Sequence, residues 1–75
     1  MRKSADNIKA LLRKGVFVTL RSDDYRFSEL MDFARIAASS ETEMVLVIGD
    51  NLTFPEVDSL ASAARGHLRV DLSKD

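Results

Sequence analysis

The chain contains no cysteine and no tryptophan, a single proline, a single histidine and a single tyrosine. Without cysteine there is no disulfide staple and no thiolate ligand, and small secreted domains usually depend on one or the other. A reducing cytoplasm is therefore the expected compartment. His67, with no cysteine or second histidine to join it, argues against a zinc site or a catalytic triad. It lies between Gly66 and the last apolar segment and reads as an exposed turn residue. Glycine is scarce too, with three in the chain. Gly49 stands alone, so no glycine-rich phosphate loop is built, and the acidic residues do not follow EF-hand spacing. No apolar run approaches the roughly 20 residues that a membrane span requires. The basic start Met1-Arg2-Lys3 is not followed by the apolar segment of a secretory signal. These absences leave no cofactor, no metal and no catalytic constellation to expect, and point away from an enzyme.

At 75 residues the chain is one domain, spanning 1–75. A domain of that size buries only about 60% of its unfolded surface, so its core must be thin. The charge is close to balanced but unevenly spread. Residues 1–26 carry seven basic and three acidic side chains, a balance of +4, while residues 27–75 carry four basic and nine acidic ones, a balance of −5. Asymmetry of this kind marks an anionic partner, self-association, or simply solvated helix faces.

What is present is a regular pattern. Ser4 is an N-cap candidate for a first helix whose stripe is Ile8, Leu11 and Leu12, stopped by Gly15. Val16-Phe17-Val18-Thr19-Leu20 reads as a strand with Val16, Val18 and Leu20 on one face. Arg21-Ser22-Asp23-Asp24 reads as a loop. A second helix is expected from about Phe27 to Ser39, with Leu30, Phe33, Ala34 and Ala37 as its stripe. Tyr25 just before it reads as a packing residue with its hydroxyl at the surface. Ser39-Ser40-Glu41-Thr42 is a polar connection. Met44-Val45-Leu46-Val47-Ile48 is a short apolar run ended by Gly49-Asp50-Asn51, the signature of a buried central strand. Thr53 and Glu56 have capping-box spacing ahead of a third helix, with Pro55 in its first turn and Val57, Leu60, Ala61 and Ala64 as its stripe. After Gly66, Leu68-Arg69-Val70-Asp71-Leu72 alternates cleanly, as an edge strand does.

The second half matches the first without gaps. Residues 25–37 align on residues 52–64, pairing Phe27 with Phe54, Glu29 with Glu56, Ala34 with Ala61 and Ala37 with Ala64. The strands align as Val16-x-Val18-x-Leu20, Met44-x-Leu46-x-Ile48 and Leu68-x-Val70-x-Leu72. Self-similarity with a period in the mid-twenties predicts stacked units that bury a shared core. Right-handed crossovers then give the expected fold. It is an α/β chain of three helix–strand units, with a three-stranded parallel sheet in order 1-2-3 and the helices on one face, solenoid-like.

The run Met44-Val45-Leu46-Val47-Ile48-Gly49-Asp50-Asn51-Leu52, with a helix following, resembles the strand-then-asparagine segment of leucine-rich repeats. The likeness extends over most of the chain. It departs from the family pattern at Thr53, where an aliphatic residue is usual, and at Asp23 or Asp24, which stand where the first unit would carry its asparagine. The resemblance implies binding of other proteins through the sheet, without catalysis.

Three surfaces are candidates for function. The uncovered sheet face would present Phe17, Thr19, Val45 and Val47 beside Arg69 and Asp71, an apolar patch rimmed by charge that suits another protein or a second copy of the chain. Alternatively, the first helix swings across and covers it with Ile8, Leu11 and Leu12. The carboxyl edge of the sheet, where open parallel sheets bind ligands, gathers Arg21, Ser22, Asp23, Asp24, Gly49, Asp50, Asn51, Asp71, Ser73 and Lys74. These residues would either hold a divalent cation through oxygen ligands or serve simply as turn formers. Lys9, Arg13 and Lys14, with Arg2 and Lys3, would contact an anionic ligand. Nucleic acid is disfavoured because no aromatic or groove-reading side chains accompany them except Phe17.

Overall fold

In the computed structural model, residues 4–72 are described. Ser4 has extended backbone and its hydroxyl accepts the Asn7 N–H at 3.2 Å, turning the chain into helix α1, Ala5–Arg13. The helix ends at Gly15, whose φ of 82° lets the Gly15 and Val16 N–H groups turn back to the Leu12 and Leu11 carbonyls. Strand β1, Val18–Arg21, comes next, followed by a short 3₁₀ turn at Ser22–Asp24 and helix α2, Phe27–Ser39. Strand β2, Met44–Val47, helix α3, Phe54–Ala64, and strand β3, Leu68–Asp71, complete the order.

Helices α2 and α3 start in the same way. The Glu29 carboxylate accepts the Arg26 N–H at 2.9 Å, and the Glu56 carboxylate accepts the Thr53 N–H at 2.9 Å. Each glutamate thereby satisfies a donor that the first helical turn leaves unpaired.

The sheet has the order β1-β2-β3 and both pairings are parallel. Val18, Met44 and Leu68 lie in one row across it, and Leu20, Leu46 and Val70 in another. This is the face beneath the helices. Leu20, Met44 and Leu46 are buried there with Ile8 and Leu12 from α1, Leu30, Phe33, Ala34 and Ala37 from α2, and Leu60 and Ala64 from α3. Phe33 is the largest wholly buried side chain, and the edge of its ring meets Tyr25 at 5.3 Å between centroids and 82° between planes. Helix α1 packs beside α2, and α2 beside α3. All three helices therefore lie on one side of the sheet, and α1 does not cross to the other.

Several expectations need correction. The first strand begins at Val18, two residues later than its pattern suggested, because the Val16 N–H belongs to the α1 cap. Consequently Val18, rather than Val16, pairs with Met44. Leu11 and Ala61, counted on helix stripes, are exposed. Residues 22–24 are a 3₁₀ turn with Ser22 buried, and His67 is half-buried, whereas Tyr25 packs in the core as its pattern suggested. Thr42, in the polar connection, is fully buried.

The candidate functional site: an uncovered sheet face

Successive strand residues point to opposite faces. The odd-numbered positions therefore form the face away from the helices, in the rows Thr19–Val45–Arg69 and Arg21–Val47–Asp71. Val45 and Val47, on the central strand, are half-buried by their neighbours in the sheet, and Thr19, Arg21 and Arg69 are exposed. The Arg69 Nε donates to Glu43 Oε1 at 2.6 Å, a charge-assisted bond beside Val45. Arg21 Nε lies 3.5 Å from Asp23 Oδ1. Two valines thus occupy the middle of the face and charged side chains its margins. Phe17 precedes β1 rather than lying in it and is 68% exposed. It lies just ahead of the amino end of β1, next to Val16. The structure therefore brings together Thr19, Val45, Val47, Arg69 and Asp71 as one surface and sets Phe17 at its border.

The carboxyl edge is built differently. Ser22 is fully buried, and its hydroxyl donates to Asn51 Oδ1 at 2.8 Å while accepting the Gly49 N–H at 2.7 Å. The Asn51 side-chain amide returns a bond to the Ser22 carbonyl at 2.9 Å. These groups tie the loop after β1 to the loop after β2. A Cβ at Gly49 would lie 3.2 Å from Asp23 Oδ2 and 3.3 Å from Asn51 Oδ1, so a side chain there would press on both loops. Among the described residues, no group of three His, Asp or Glu side chains is placed to hold a metal ion. Ser73 and Lys74 lie outside the described residues.

The basic helix does not gather its charge. Lys9 Nζ sits 3.5 Å from Asp32 Oδ2 on the neighbouring helix, whereas Arg13 and Lys14 are exposed at the end of α1. Arg2 and Lys3 lie outside the described residues. His67 borders a shallow hollow with Ala38, Glu41 and Arg65, where the helices end. Its carbonyl accepts the Met44 N–H at 2.9 Å, joining β2 to β3.

Two buried polar residues escaped the sequence reading. Nothing in Arg21-Ser22-Asp23-Asp24 distinguishes the one serine that turns inward. Thr42 had a faint signal, since it stands two residues before the central strand. Its Oγ1 is buried and has no hydrogen-bond partner among the described residues.

No protein-family model, curated protein or solved structure matches this chain. The chemistry of the surfaces must therefore speak for itself. At the carboxyl edge Ser22 and Asn51 hold the two loops together, Lys9 is paired within the fold, and the valine face is not packed against a helix among the described residues. No helix among those residues is long and apolar enough to cross a membrane.

Proposed function

We propose that this chain is a small non-catalytic interaction module that binds another protein chain through the uncovered sheet face. One observation carries the reading: a wholly parallel sheet with helices on only one of its faces. Parallel sheets are ordinarily covered on both faces, because their strands are apolar on both. Val45 and Val47 at the centre of this face follow that pattern, and a partner would supply the missing layer. Arg69 and Asp71 at the margin would set orientation more than affinity. The chain would then be a short βα repeat similar to leucine-rich repeats, acting in a reducing cytoplasm.

Val45→Asp and Val47→Asp test it. Each places a charge in the middle of the face without entering the core. Because both valines are half-buried on the central strand, each variant should lose about 1–2 kcal/mol and still fold. They should also lose partner capture from host lysate, or the higher solution mass if the partner is a second copy. Unfolding by either change would show that this face is core and would overturn the proposal.

A further inference from the structure

The exposed apolar side chains of the described residues are not scattered. The large ones are Leu11, Val16, Phe17, Phe54, Val70 and Leu72, between 37% and 79% exposed. The first three belong to α1 and the segment leading into β1, and the last three to α3, β3 and the residue after it. The middle layer, α2 with β2, contributes none. Matched positions show the cause. Ala34 of α2 is fully buried, whereas its counterpart Ala61 of α3 is exposed, because α2 has a helix on each side and α3 on only one. Leu46 is fully buried, whereas Val70, beside it in the same row, is 37% exposed.

Among the described residues both ends of the sheet are also open edges, β1 at one end and β3 at the other. An open edge presents unpaired N–H and C=O groups to any strand that meets it. A groove along β1, lined by Ile8, Leu11, Val16 and Phe17 with the strand itself, marks the first edge. The charges of the two ends are opposite. Among the described residues, 4–26 carry Lys9, Arg13, Lys14, Arg21 and Arg26 against Asp6, Asp23 and Asp24, a balance of +2 with Lys9 paired to Asp32 of α2, while 49–72 carry Asp50, Glu56, Asp58 and Asp71 against Arg65 and Arg69, a balance of −2.

We propose that the chain associates head to tail with a second copy, the α3–β3 end of one molecule docking on the α1–β1 end of the next and continuing the parallel sheet. The step from β3 to the next β1 has the same form as the steps already present, β1 to β2 and β2 to β3, in which strands pair in parallel and in phase. Such an interface joins two different surfaces, so it propagates into rings or filaments rather than stopping at a dimer. The docking ends adjoin the valine face at Phe17 and along the edge strands, but Val45 and Val47 lie outside them, and the inference does not depend on the function proposed above.

Sedimentation velocity across a concentration series tests it. The parent should form species larger than a dimer as concentration rises, and added salt should weaken them. Leu11→Glu blocks the head, Leu72→Glu blocks the tail, and neither lies on the valine face. Each alone should self-associate at least about tenfold more weakly, the loss expected from one large apolar contact. Mixed in equal amounts they should form a two-chain species and nothing larger, since one sound head and one sound tail remain. Circular dichroism checks that both fold, and Leu11→Ser with Leu72→Ser replaces the pair if either does not. A parent that stays monomeric overturns the proposal, as does a mixture that stays monomeric. Loss of association in Val45→Asp would also overturn it, while placing self-association on the valine face. Binding of an extended peptide along β1 by a chain that does not self-associate would assign the edge to another occupant.

Discussion

Thr42 takes a hydroxyl into the core and finds no partner for it among the described residues. A buried hydroxyl without a hydrogen bond costs about 1–3 kcal/mol. Thr42→Val keeps the shape and removes the hydroxyl, so urea denaturation should show a gain of about 1–2 kcal/mol with an unchanged slope. Its neighbour Glu41 has a φ of 54°, the left-handed conformation that side chains disfavour. It occupies the place after α2 that Gly15 takes after α1, and the Thr42 N–H reaches back to the Ala37 carbonyl at 3.0 Å, as Val16 reaches Leu11. Glu41→Gly should relieve about 1 kcal/mol of strain, less the backbone entropy glycine brings, and raise the midpoint of thermal unfolding. Gly15 and Gly66 announced the ends of α1 and α3 by their identity. Glu41 announced nothing, because its conformation is imposed by the elements on either side.

Among the elements, the loops after β1 and β2 depend on each other more than on their own turn chemistry. Ser22 and Asn51 are 29 positions apart in the chain and share two hydrogen bonds. Asn51→Ala removes both and leaves the buried Ser22 hydroxyl without its acceptor. The expected cost is about 1–3 kcal/mol, read from the shift in denaturation midpoint, with the loops losing amide-exchange protection before the core does. Asn51 was legible as a turn residue and as part of a strand-then-asparagine segment. Its partner was not, since a hydrogen bond between distant loops leaves no local pattern. The helices were more transparent. Ser4, Glu56 and the apolar stripes set their positions through neighbours three and four residues away, and such interactions are written within one turn. For the same reason the salt bridge of Lys9 with Asp32, which joins two helices, could not be read in advance.

For the whole molecule, a single core holds three helices against one sheet face, so large core side chains and the valine face should respond in opposite ways. Phe33 is fully buried and packs against Tyr25. Phe33→Ala should cost about 3–5 kcal/mol. Small domains have only about 5–15 kcal/mol in total, so calorimetry should find this variant unfolded or nearly so at 37 °C, while Val45→Asp remains folded. The order 1-2-3, the parallel sense and the one-sided helices all followed from alternating helix and strand signals with consistent crossovers. They are chain-scale consequences of local periodicity. The start of β1 did not follow. Val16 and Val18 lie on the same face, so a shift of two residues leaves the apolar pattern intact and only the competing helix cap decides between them.

The amino-acid sequence alone determined the order and kind of the helices and strands, which strand face is apolar, and that the first third of the chain is basic, because periodicity and charge are properties of neighbours along the chain. Only the tertiary structure decided the register of β1, the burial of Ser22 and Thr42, and the exposure of Ala61 where Ala34 is buried. Burial depends on what lies alongside, and the same residue in the same unit has a neighbour in the middle of the stack and none at its end.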